Sequence, residues 1–161
     1  PIGDPFSWEE EALPHFVPPY EAWTESVGGY EQSEPSKVYP LVYSSYRNKF
    51  KCHSQFGYNE WLLEIIPEPT VMVNKVELEK RGVKDGELVR VFNDRGFVVV
   101  RVVENNGIHE GMVVIPKGWQ GNQFVEGHYA NLTNQHCKAN AENSYFFDAV
   151  CDFELYEGGN E

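Results

Sequence analysis

The sequence predicts a mainly β fold with short helices, closed into a barrel and preceded by an extended, acidic, proline-rich arm. Three observations carry that prediction. Six of the ten prolines fall within residues 1–37. Proline fixes φ and removes a backbone donor, so this stretch reads as extended, irregular chain. From Lys37 onward, short runs rich in Val, Ile, Tyr and Phe recur between turn residues, the pattern of an all-β barrel more than of a parallel sheet. Only two segments show helical spacing, and both are short. The chain therefore divides into an arm, residues 1–37, and a β domain, residues 38–161.

Each element has its own signal. The arm carries Phe6, Trp8, Phe16, Tyr20 and Trp23, aromatics that suit a segment lying across a neighbouring surface. VYPLVYSSY (38–46) predicts the first strand of the domain. GYNEWLLEII (57–66) has apolar residues at helical spacing and is stopped by Pro67 and Pro69. TVMVN (70–74) is a short strand, and KVELEKRG (75–82) a short helix ending at Gly82, where a left-handed cap is favoured. ELVRVFN (87–93) and FVVVRVVE (97–104) are two strands joined by the tight DRG turn. GMVVIP (111–116) and DAVCDFELYE (148–157) complete the set.

Composition narrows the function. The chain has 161 residues, 41% hydrophobic and 14% aromatic, which fits a globular domain with a sizeable core. No apolar run approaches the roughly 18 residues needed to span a bilayer, so direct membrane insertion is not expected. A formal charge of −12 argues against a nucleic-acid partner. That charge is uneven. Residues 1–36 hold eight acids and no Lys or Arg, residues 37–100 ten bases and eight acids, and residues 101–161 three bases and nine acids. The three cysteines, Cys52, Cys137 and Cys151, form no CxxC, so free thiols are expected rather than disulfides or a zinc site.

Two polar segments stand out. RNKFKCHSQFGYN (47–59) places Arg47, Lys49 and Lys51 before a small, glycine-containing loop. If 47–51 is a strand, all three bases share one face. Such a loop suits an anionic ligand, met by backbone N–H groups and a few cations. Ser54 and Gly57 allow close backbone approach, His53 can donate, and Gln55 can both donate and accept. GHYANLTNQHCKANAENSYFFD (127–148) lies between the last two strands and is rich in Asn. Asn131, Thr133, Asn134, Gln135, Asn140 and Asn143 can read the edges of a heterocycle or serve as ordinary loop residues. Trp119 is either a core indole or a stacking surface. A metal site built on His128, His136 and Cys137 lacks any established ligand spacing.

The segment NKVELEKRGVKDGELVRVFNDRGFVVVRV (74–102) closely resembles the C-terminal domain of the molybdopterin oxidoreductases, the dimethyl sulfoxide reductase family. The resemblance rests on Asn74, the run from Arg81 to Val91, and Arg95-Gly96. Tyr39–Leu41, Lys51-Cys52-His53-Ser54, Gly118-Trp119 and Asn131-Leu132-Thr133 extend it in the family's order over about residues 38–156. The family often has Asn where Ala130 stands, and its usual Asp-Pro is missing from this loop.

The resemblance implies a double-psi β-barrel binding molybdopterin guanine dinucleotide with molybdenum or tungsten. It implies a cofactor-binding domain of a larger catalytic polypeptide, with the metal's protein ligand on another domain and no turnover by this fragment alone. The implied contacts are Arg47, Lys51, His53, Ser54, Gln55, Trp119, Asn131, Thr133, Asn134, Gln135 and Asn143. Implied partners are the remaining domains of the same polypeptide and a separate iron–sulfur electron-transfer protein, in the cytoplasm or the cell envelope. HSQFG differs from the His-Thr-Gly of nitrate reductases and formate dehydrogenases, which favours reduction of S- or N-oxides or transformation of aromatic hydroxyls. The contrasting reading is a free-standing double-psi barrel serving as a protein-interaction module. A self-processing decarboxylase of this fold is excluded, because the chain has no Gly-Ser dipeptide.

Overall fold

The structure, a computed structural model, describes residues 16, 18–134 and 149–158. The segment before the barrel is more regular than its prolines suggest. Trp23–Ser26 (β1) and Gly29–Gln32 (β2) pair as an exposed antiparallel hairpin across the two-residue turn Val27-Gly28, with Gly28 at φ 98. A one-turn helix, Glu34–Val38 (α1), follows, with Pro35 in its first turn and the Ser33 side chain accepting from the Ser36 N–H. The expectation of irregular, extended chain up to residue 37 therefore fails from residue 23 onward. A glycine turn at Gly28 and a serine N-cap outweigh proline density there.

The barrel strands are Leu41–Arg47 (β3), Thr70–Val73 (β4), Leu88–Phe92 (β5), Phe97–Glu104 (β6), Met112–Lys117 (β7) and Ala149–Leu155 (β9). They run in the order β4-β7-β3-β9-β5-β6, and β6 closes back onto β4. A two-residue strand, Glu126–Gly127 (β8), adds to the outer side of β6. Two neighbour pairs are parallel, β3 with β7 and β4 with β6, and the rest are antiparallel. This is the crossed arrangement of a double-psi barrel, and closure leaves no open edge among the six strands.

Period-two alternation fills the interior. Leu41 and Tyr43, Val71 and Val73, Val89 and Val91, Val98, Val100 and Val102, Val113 and Ile115, and Cys151 and Phe153 all point inward and are buried. Each buried valine contributes roughly 1.5–3 kcal/mol relative to exposure. Helix Glu60–Ile65 (α2), capped by Asn59, has no fully buried residue. Helix Lys75–Arg81 (α3) is capped by the Asn74 side chain, buries Leu78, and ends at Gly82 with φ 66. Among the described residues no helix is long and apolar enough to cross a membrane.

Residues 47–51 depart from expectation. Strand β3 ends at Arg47, and the Asn48 side chain then accepts from the Phe50 N–H, turning the chain. Arg47 and Lys49 are exposed while Lys51 is buried, so the three bases do not share a face.

Candidate functional site

The parallel register sets Arg47 of β3 beside Lys117 of β7. Both strands therefore end at the same rim of the barrel, and the loops that follow them meet there. Two like charges side by side are unfavourable unless something negative is near. In a chain of formal charge −12, this rim gathers Arg47, Lys51 and Lys117.

The first loop is a tight turn. Cys52 and Gln55 form an isolated bridge, with the Gln55 N–H donating to the Cys52 carbonyl at 3.0 Å. His53 and Phe56 adopt φ 53 and 64, left-handed values that non-glycine residues seldom take and that mark strained, often functional turns. Left-handed residues inside a tight turn also occur in the nests that bind anions. His53, Ser54 and Gln55 are all exposed.

The loop after β7 supports that turn. Gly118 has φ 98, and a Cβ there would lie 2.1 Å from the His53 carbonyl oxygen. Only glycine allows the two loops to sit together. Gln123 Nε2 donates to the Gly57 carbonyl at 2.8 Å, and the Tyr58 hydroxyl donates to Asn122 Oδ1 at 2.7 Å.

The third segment begins at His128. Its Nδ1 accepts from the Ala130 N–H at 3.2 Å, which leaves Nε2 to donate to the Trp119 carbonyl, also at 3.2 Å. Both ring nitrogens are thus engaged in holding the loops together, and a metal site through His128 loses its first ligand. Tyr129 Oη accepts from the Gly118 N–H at 3.3 Å. A 3-10 turn over Tyr129–Leu132 follows, closed by Thr133 Oγ1 donating to the Ala130 carbonyl at 2.8 Å.

The interior side of this rim carries buried donors. Lys51 is 7% exposed, and its Nζ lies 3.1 Å from the centroid of the Trp119 ring. Burial lowers the pKa of this ammonium. Cation–π attraction offsets part of the cost, about 2 kcal/mol when desolvated. It supplies no hydrogen-bond acceptor. Lys51 Nζ, Trp119 Nε1 and Tyr43 Oη are all buried without a hydrogen-bond partner among the described residues. Burial, with Cys151 and Tyr129 beside it, also pushes the Tyr43 phenol far up, so it remains a donor. Each unmet buried donor costs about 1–3 kcal/mol. A ligand rich in acceptors, such as a pyrophosphate or a pterin, suits this donor set.

The sequence-predicted residues distribute as follows. Lys51, Trp119 and Asn134 are buried, Thr133 is partly buried, and Arg47, His53, Ser54, Gln55 and Asn131 are exposed. Lys51, His53, Trp119 and the 128–134 segment are brought together through Gly118 and His128. Trp119 resolves as a buried indole that also presents an unmet donor. Gln135, Asn140 and Asn143, with His136 and Cys137, lie outside the described residues. Sequence reasoning missed Tyr43, Gln123, His128 and Tyr129 as site supports. Apart from the glycine of KGW, no local pattern marks them.

Residues 41–149 match the family described as molydopterin dinucleotide binding domain. The chain is 37% identical to a putative dimethyl sulfoxide reductase catalytic protein of Halobacterium salinarum over 123 residues, covering 76% of the chain and 14% of that protein. It is 28% identical to dimethyl sulfoxide reductase DmsA of Escherichia coli K12, over 67% of the chain and 12% of that protein. Trimethylamine-N-oxide reductase 1 of Escherichia coli O157:H7 is 30% identical over 60% of the chain and 12% of its own length. The matched part of the chain thus spans only 12–14% of the length of these relatives. Acetylene hydratase from Pelobacter acetylenicus shares the fold with a TM-score of 0.66 at 16% identity, over 76% of the chain and 19% of that structure. The closed barrel, the donor-lined rim and the family match over 41–149 agree, and the chain belongs to the molybdopterin dinucleotide-binding domains of the dimethyl sulfoxide reductase family.

Proposed function

We propose that the chain is the cofactor-binding domain of a large molybdenum oxidoreductase that reduces S- or N-oxides, and that it holds one molybdopterin guanine dinucleotide on the rim formed by residues 51–57, 117–123 and 128–134. The single observation that carries this reading is the buried donor set of Lys51, Trp119 and Tyr43 beside a strained, exposed turn. Backbone N–H groups of the 52–56 turn, with Lys51 behind them, receive the acceptor-rich part of the dinucleotide. Thr133 and Asn134, followed in the chain by Gln135, Asn140 and Asn143, suit heterocycle edges. His53 and Gln55 stand ready as further donors. Arg47 contributes positive potential at the rim more than a fixed contact, since exposed charges are weak holders.

When bound, the cofactor supplies the two-electron oxygen-atom chemistry at its metal. The protein's work is to bind, orient and exclude water. No group of this chain is assigned a catalytic role. The sulfoxide and amine-oxide reductases among the relatives favour those substrate classes, and aromatic-hydroxyl transformation is the less favoured branch. The remaining domains of the same polypeptide and an iron–sulfur electron-transfer protein complete the proposed assembly.

The test is turnover by the full-length protein, purified from a molybdenum-replete anaerobic host, with reduced viologen as donor. Dimethyl sulfoxide or trimethylamine N-oxide should be consumed. Failure of both with a fully loaded enzyme would discard this substrate class.

A further inference from the structure

The barrel rim is tied to the segment that precedes it by one buried carboxylate. Glu21 is only 6% exposed. Its Oε1 accepts from Arg95 Nη1 at 2.9 Å and its Oε2 from Arg95 Nη2 at 3.0 Å, a bidentate pair. Oε2 also accepts from the Val150 N–H at 2.9 Å, at the start of β9. Local structure delivers this side chain. The Ala22 and Trp23 N–H groups both donate to the Pro19 carbonyl at 2.9 Å, Ser33 Oγ donates to the Glu21 carbonyl, and the Ser33 N–H donates to the Ala22 carbonyl at 3.1 Å.

Arg95 passes the restraint onward. Its Nη2 donates to the Leu132 carbonyl at 2.9 Å and its Nε to the same oxygen at 3.3 Å. Asn93 Nδ2 donates to that oxygen too, at 2.9 Å, and to the Val150 carbonyl at 3.0 Å. A carbonyl offers two lone pairs, so that of Leu132 is fully engaged and fixed in place. Leu132 directly precedes Thr133 and Asn134. The β5–β6 turn also abuts Asn131, because a Cβ at Gly96 would lie 2.9 Å from the Asn131 Cβ. The Asn93–Gly96 turn is therefore the anvil on which the 131–134 segment rests, and Glu21 sets the angle of its guanidinium.

We infer that Glu21 is a positioning residue: acting through Arg95 and the Leu132 carbonyl, it holds the Thr133–Asn134 segment in the register that binds the dinucleotide. The purpose of the clamp rests on the cofactor assignment proposed above, while the clamp itself does not. The geometry also explains why the segment before the barrel packs at all. Glu21 buried without Arg95 would be an uncompensated carboxylate, which is costly, so packing of this segment is coupled to the position of Arg95.

The test uses the full-length holoenzyme with Glu21→Ala and Glu21→Gln, read by hydrogen–deuterium exchange and by the rate of cofactor release below the unfolding transition. Glu21→Ala should speed exchange in 131–134 about tenfold or more, as expected when a charge-assisted bond is lost from a buried node. Exchange in β3 and β7 should stay near wild type, and bound GMP should be released faster. Glu21→Gln, which keeps one acceptor, should lie between. Unchanged exchange in 131–134, or a uniform rise across the barrel, overturns the positioning role. A local rise in 131–134 from a wild-type protein that carries no GMP would instead discard the cofactor assignment and leave the clamp standing.

Discussion

Gly118→Ala is the substitution with the sharpest expected consequence. Gly118 sits at φ 98, and the new Cβ would lie 2.1 Å from the His53 carbonyl oxygen and 3.0 Å from its carbon. An ordinary C···O contact is about 3.3 Å, so the 52–56 turn must retreat by about 1.2 Å. His53 already sits at φ 53 and cannot yield without moving its neighbours. The left-handed backbone costs about 1–2 kcal/mol, and displacing the turn brings the total to about 2–4 kcal/mol. For a chain of this size that lowers Tm by roughly 5–15 °C. Gly82→Ala is the control. Gly82 has φ 66 but nothing within 4 Å of an added Cβ, so only the conformational penalty of about 1 kcal/mol applies. Thermal unfolding of both variants by calorimetry separates collision from backbone preference. In the full-length protein, GMP content should fall for Gly118→Ala and hold for Gly82→Ala. Equal destabilisation by the two, or a fully loaded Gly118→Ala enzyme, would refute the claim that the His53 turn is seated on residue 118.

Two further substitutions probe the rim, beside the Glu21 test above. Lys51→Met should stabilise the chain by about 1–3 kcal/mol in the absence of cofactor, because an unmet buried donor is removed, yet lower cofactor retention. Its pH dependence has a defined sign. Burial lowers the folded-state pKa of Lys51 beneath the ordinary 10.5. Between the two values the unfolded chain binds more protons, so stability rises with pH through that window. The gap between wild type and Lys51→Met should therefore narrow toward pH 10.5 in denaturant titrations, and a gap that widens would show that Lys51 is not buried as a cation. Ser54→Tyr should leave stability within about 0.5 kcal/mol, since Ser54 is exposed, but yield cofactor-poor enzyme. Normal metal and pterin content in that variant would remove the 52–56 turn from the site.

Most strands were legible because their signals are local. The β5–β6 hairpin has alternating valines on either side of a glycine turn, and α3 has an Asn cap at one end and Gly82 at the other. The parts that were not legible depend on distant partners or on competing local signals. Alternating bases at 47, 49 and 51 imitate a strand face, but the Asn48 side chain turns the backbone first. Lys51 reads as a surface residue until Trp119, far along the chain, is laid against it. The Glu21–Arg95 pair spans 74 positions, and nothing in PHFVPPYEAW marks one of the arm's many acids as the buried one. The short β1–β2 hairpin was hidden by prolines on either side, although Gly28 was the turn signal that could have revealed it. In the candidate site, the polar turn from His53 to Gln55 was legible as a loop, while its supports at Gly118, Gln123 and His128 emerge only from the parallel register of β3 and β7.

The most direct test of the cofactor assignment is a count of metal and nucleotide in the full-length protein, purified without oxygen from a host that assembles the cofactor. Molybdenum and tungsten would be measured by mass spectrometry, and GMP after acid hydrolysis. The account predicts about two GMP per molybdenum atom, as a bis-dinucleotide cofactor requires. A folded protein with neither metal nor nucleotide would contradict it and favour an interaction module built on the same barrel.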